Sequence, residues 1–127
     1  MGRRIALIEY YFCGEQALAA AGSGAGGPWV KADTSAAGAP TVGGLAGGGL
    51  RMLLASNTEV ENLCVYHGDV LSFDIDDIVS AEFAVKTVAT LDSATSIAFG
   101  LCSARNDDPD ALAAHASFRC IGSNAIV

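Results

Sequence analysis

The chain has 127 residues, 51% of them hydrophobic and 17% charged, a balance that fits one globular domain and excludes a disordered chain. Fourteen acidic against seven basic residues give a net charge of -7. Arg3, Arg4 and Lys31 lie in the first quarter and no basic stripe forms anywhere, so the chain is expected to bind no nucleic acid. No stretch approaches the ~20 consecutive apolar residues of a membrane span, so no membrane partner is expected.

In chain order, the first predicted element is a strand over Ile5 to Phe12. Its apolar run is broken at Glu9, short of the about 7–15 residues of a secretory signal core, so a cytoplasmic origin is expected. Gln16 to Ala21 suits a helical turn that Gly22 ends. Residues 22–27, 36–40 and 43–49 are small-residue tracts that bury little area per ordered residue. Residues 1–49 are therefore expected to form a strand followed by a flexible Gly/Ala-rich arm or loops. Pro28 to Asp33 suits a short strand within it, with Trp29, the only tryptophan, docked on the core.

Residues 50–127 read as a β-sandwich core. Leu50 to Leu54 is a partner strand, and Glu61 to His67 alternates with Leu63, Val65 and His67 on one face. The clearest alternation runs from Ser80 to Val88, with Phe83, Val85 and Thr87 opposite Glu82, Ala84 and Lys86; a period of two predicts a half-buried strand. In Ser96 to Ser103, Ile97, Phe99 and Leu101 oppose Ala98, Gly100 and Cys102. Two apolar faces, one small, predict a central strand packed closely on both sides. Asp108, Pro109 and Asp110 supply an N-cap, a first-turn proline and a dipole-matching carboxylate. They predict a short helix through Ala114, after which Ser117 to Ile121 resumes as a strand. The fold class is all-β, a jelly roll or β-sandwich with one short helix.

Side chains able to carry chemistry are few and badly grouped. Asp74, Asp76 and Asp77 are acidic, but Ile78 and Val79 stand where further calcium ligands would continue. Asp107, Asp108 and Asp110 are accounted for by helix capping. Cys64 or Ser72 with His115 and an aspartate would make a nucleophilic set, and Glu82 with a second carboxylate a glycosidase pair; nothing in their spacing requires either. His67 and His115 are read as packed or surface residues. No GxSxG or HExxH motif occurs, and 43–49 lacks the Lys-Ser/Thr of a phosphate-binding loop. Cys13, Cys64, Cys102 and Cys120 are widely spaced and read as buried thiols. No catalytic residue, cofactor or metal is expected.

The stretch Val70 to Lys86, with its Glu82-Phe83-Ala84-Val85-Lys86 run, resembles a segment of bacteriophage structural proteins encoded among head genes. So do Ile97 to Asp110, with Phe99-Gly100-Leu101 leading into Ser103-Ala104-Arg105-Asn106-Asp107, then Ala114 to Arg119, and then Gly122 to Ala125. The resemblance covers about Leu50 to Val127 and implies a concanavalin-like jelly roll displayed on the virion. Such proteins continue past the Ser123-Asn124-Ala125 turn. The chain ends at Val127, which implies either a shortened member or a sheet edge completed by a neighbour. The implied function is non-enzymatic decoration or cementing of the capsid. The implied partners are the major capsid protein and, by self-association or strand pairing, a neighbouring chain. The alternative is a carbohydrate-binding module of a tail or fibre, for which Trp29, Tyr10 and Tyr11 are the available aromatics.

Overall fold

A computed structural model describes residues 18–20, 29–55, 59–67, 77–87, 91–122 and 125–126. These residues form short strands in small, mostly antiparallel sheets. Helix among them is confined to 3-10 geometry, at Asp77 and at Pro109–Ala111. The chain divides into two compact units, Met1–Gly68 and Asp69–Val127.

In the first unit, β1 (Ala19–Ala20), β2 (Val30–Asp33) and β5 (Leu63–Tyr66) make a three-stranded sheet in that order. β1 runs parallel to β2, and β2 antiparallel to β5. The register sets Val30 opposite Tyr66 and Ala32 opposite Cys64, so these four share one face. Ala32 is the buried apolar residue at its centre. Beyond Asp33 the Thr34 N–H donates to the Asn62 carbonyl (3.1 Å) and the Ala36 N–H to that of Val60 (2.9 Å). The Ser35 hydroxyl also accepts from the Asn62 N–H at 3.1 Å.

Two further strands of this unit pair as a hairpin: β3 (Thr41–Gly44) and β4 (Leu50–Leu53), with Val42 opposite Met52. Its loop explains part of the glycine content. Gly47, Gly48 and Gly49 all hold positive φ, between 91° and 106°, a region costly for residues with a Cβ. The Leu45 and Gly49 backbones close the loop through a 3.1 Å bond. β2 and β3 thus lie inside the small-residue tract read as arm and loops.

The second unit is built on β6 (Ser96–Cys102), β7 (His115–Ile121) and β8 (Ala125–Ile126), an antiparallel sheet in chain order. β6 and β7 pair along their whole length, from Ser96 opposite Ile121 to Cys102 opposite His115. Between them the turn Pro109–Ala111 is capped by Asp108, whose carboxylate accepts from the Asp110 N–H at 2.9 Å.

The structure corrects several expectations. Ser80 to Val88 is not a strand over its described residues 80–87, which have no ladder partner and are all exposed. Alternation prepares a face, but a strand also needs a neighbour for its N–H and C=O groups. β6 is an edge strand and not a central one. Its small residues answer to the neighbouring strand: a Cβ on Gly100, at φ 152°, would lie 2.4 Å from the Ala116 carbonyl oxygen. The helix stops at Ala111, with Leu112 already extended, because β7 claims the chain from His115. Leu18–Ala20, expected in a helical turn, ends in strand β1. The strand expected over Ile5 to Phe12 lies outside the described residues.

Candidate interaction surface

In β6 only one of the two faces expected to pack does so: Ile97, Phe99 and Leu101 are half-buried, whereas on the other face Ser96, Ala98 and Cys102 are exposed and Gly100 is half-buried. Phe99 sits opposite Phe118 of β7, and their rings stack with centroids 5.6 Å apart and planes 27° apart. Phe83 reaches the same place from outside the sheet, tilted at 6.2 Å from Phe99. Such ring pairs contribute about 0.5–1.5 kcal/mol beyond area burial. The cluster is nonetheless open to solvent. Phe118 is 58% exposed and Phe83 40%. Exposed apolar side chains grouped on one face mark a contact surface, whereas scattered ones do not.

Polar groups flank this sheet in pairs. The Asp110 carboxylate binds the Arg119 guanidinium (Oδ1 to Nη1, 2.5 Å), and Arg105 pairs with Asp107. The Asn106 side chain accepts from the Asp108 N–H at 2.9 Å. The aspartates of 107–110 are thus engaged by arginines and by the cap. Of the other acidic cluster, Asp77 is exposed and Asp74 and Asp76 lie outside the described residues. Among the described residues no group of three or more His, Cys, Asp or Glu is arranged to hold a metal ion.

The candidate nucleophiles are placed differently from their grouping in sequence. His115 is exposed, and its Nδ1 lies 3.1 Å from the Leu112 carbonyl oxygen; a carbonyl only accepts, so Nδ1 carries the proton. The thiol opposite it is that of Cys102, also exposed. Cys64 belongs to the first unit, and Ser72 lies outside the described residues. The expectation of buried thiols fails at Cys102, which stands at the outer end of an edge strand; Cys64 and Cys120 are half-buried, and Cys13 is not among the described residues. Glu82 is exposed in the unpaired segment.

No family model matches this chain. Neither a curated protein nor a solved structure matches it. The candidate surface therefore rests on the physical properties of its residues.

In the first unit, Trp29 is half-buried and meets the His67 ring edge-on, with centroids 5.4 Å apart. Around the β3–β4 hairpin Leu45, Met52, Leu53 and Leu54 stand 42–46% exposed. Asp33 ends β2, and the Ser35 hydroxyl, followed by the Ser35 amide at 3.0 Å, holds its carboxyl below the ordinary value. The sequence signalled the β6 face through its alternation, and Phe118 through an apolar position on β7. The exposure of Phe118 was not signalled, because periodicity names a face without saying what covers it.

Proposed function

We propose that this chain is a non-enzymatic structural subunit of a bacteriophage particle that decorates or cements the head by adhering across major capsid subunits. The observation that carries the adhesive part is the stacked Phe99–Phe118 pair in the middle of a regular ladder with Phe118 58% exposed. An apolar face of this kind is stabilised by covering it, at about 25 cal/mol per Å² removed from water. The virion setting is carried by the resemblance of Val70–Lys86, Ile97–Asp110, Ala114–Arg119 and Gly122–Ala125 to head-encoded proteins. In the assembled particle the short sheets would belong to a jelly roll or sandwich whose open sides meet neighbouring subunits. Binding to the assembled shell in preference to free subunits would stabilise the shell by linkage.

The test is cryo-electron microscopy of particles of the source phage, with shells lacking the chain as the binding control. Stoichiometric density on the icosahedral shell is the expected result. Density confined to the tail or fibre would move the protein to host recognition and favour the carbohydrate-binding alternative. Absence from particles would overturn the structural assignment.

A further inference from the structure

The free edge of β6 has a property beyond adhesion to a shell: it is complementary to itself. The bonds from the Ser103 N–H to the Ala114 carbonyl and from the Gly122 N–H to the Thr95 carbonyl, both 2.9 Å, fix the phase of the β6–β7 ladder. Odd-numbered residues of β6 direct their backbone groups at β7. Ser96, Ala98, Gly100 and Cys102 direct theirs to the other side. Among the described residues nothing bonds to that side, and β6 is terminal in its sheet.

Read from either end, Ser96-Ile97-Ala98-Phe99-Gly100-Leu101-Cys102 is nearly a palindrome in size and polarity. Two copies related by a two-fold axis through Phe99 would pair antiparallel, with Ser96 opposite Cys102, Ile97 opposite Leu101, Ala98 opposite Gly100 and Phe99 opposite Phe99. This register has the right parity. All the outward N–H and C=O groups of one edge meet those of the other, while Phe99 falls at a non-hydrogen-bonded position, where side chains come closest. A register displaced by one residue fails both conditions.

Charge agrees. The strand carries no ionisable acid or base among Ser96–Leu101, so two copies of a chain of charge -7 meet without opposed carboxylates along the ladder. On the apolar face, the Phe118–Phe99 stack continues into Phe99–Phe118 of the second copy. We infer that the chain forms a two-fold dimer by edge-to-edge antiparallel pairing of β6, doubling its three-stranded sheet. An edge left unpaired among the described residues is a template for pairing with another chain. The inference stands apart from the phage reading: a chain that dimerises this way and binds no shell leaves it intact.

The full chain is tested by sedimentation velocity together with crosslinking. Wild type is expected to sediment as a dimer at tens of micromolar. Ala98→Pro removes an outward N–H that β7 does not use, and edge strands tolerate proline at such positions. It is expected to give monomers with an unchanged far-ultraviolet circular dichroism spectrum. If that variant unfolds, Ala98→Lys serves instead and is expected to weaken the dimer at least about tenfold by placing like charges near the axis. Ser96→Cys reads the register. Its Cα would face that of Cys102 in the second copy at about 5.5 Å, inside the disulfide range, giving an oxidised covalent dimer that Ser96→Cys/Cys102→Ser does not form. A monomeric wild type, a dimer that survives both Ala98 variants, or a Ser96→Cys chain that does not crosslink through Cys102 overturns the inference.

Discussion

Residues 80–87 and strand β6 alternate with the same period and carry comparable apolar faces, yet they end differently. β6 finds β7 and pairs along its whole length. Residues 80–87 find no strand, stay exposed throughout, and contribute Phe83 to the aromatic cluster by its ring alone. The difference lies in connectivity. Between β6 and β7 stands a connection, residues 103–114, with its own structure: an Asp108 cap, one 3-10 turn, the Arg105–Asp107 pair, and Asp110 bound to Arg119 of β7. It returns the chain antiparallel and in register with β6. No such device turns residues 80–87 onto a partner within the described residues. Alternation therefore prepares one face of a strand, and a neighbour must complete it.

The contrast can be broken by mutation. The largest effect is expected for Phe99→Ala, which removes the ring shared by Phe83 and Phe118. A loss of about 2–4 kcal/mol in urea unfolding is expected, near the lower part of the range for aromatic truncation because the site is half-buried. A loss below 1 kcal/mol would mean that the cluster does not hold the sheet. Next comes Gly100→Ala, whose new Cβ meets the β7 backbone at the Ala116 carbonyl and Ser117 Cα. A loss of about 1–3 kcal/mol is expected from the forced backbone adjustment, measured by the same unfolding curves; a neutral result would show that the two strands separate readily there.

Val85→Lys, in the unpaired segment, is expected to change stability by no more than about 0.5 kcal/mol, because Val85 is 49% exposed. A thermal midpoint that falls as far as for Gly100→Ala would show the segment packed and erase the contrast. The smallest effect concerns pH in the first unit. The carboxyl of Asp33 is held below its ordinary value by Ser35, so the folded state binds its proton less readily than the unfolded chain. Its contribution to stability is present above about pH 4 and is lost as pH falls through the lowered folded value. Ser35→Ala is expected to flatten the acid limb of a stability–pH profile slightly and to leave the neutral region almost unchanged apart from the lost contact to Asn62.

Much of the local structure was legible in the residues. Leu50 to Leu54, Glu61 to His67 and Ser96 to Ser103 each contain a strand, Pro28 to Asp33 contains β2, and the cap at Asp108 with Pro109 behind it marks a real turn. Side-chain period, β-branching and capping chemistry are local properties, and they survive into the fold. β3 was hidden because Thr41-Val42-Gly43-Gly44 carries only one large apolar side chain; hairpin closure through Gly47–Gly49 selects it. Of the candidate surface, the sequence marked Phe99 as part of one apolar face and Phe118 as part of a strand, but not the exposure of Phe118.

What the sequence by itself determined is the all-β character, the phase of β6 and the two-sided identity of its residues, because these depend on spacing along the chain. Only the tertiary structure decided that, among the described residues, β6 lies at an edge and residues 80–87 have no strand partner, that Cys102 stands opposite His115, and that the aromatic face stands open. Each of these depends on which backbone donors and acceptors are already taken. That depends on how distant segments share a sheet, which spacing along one segment does not encode.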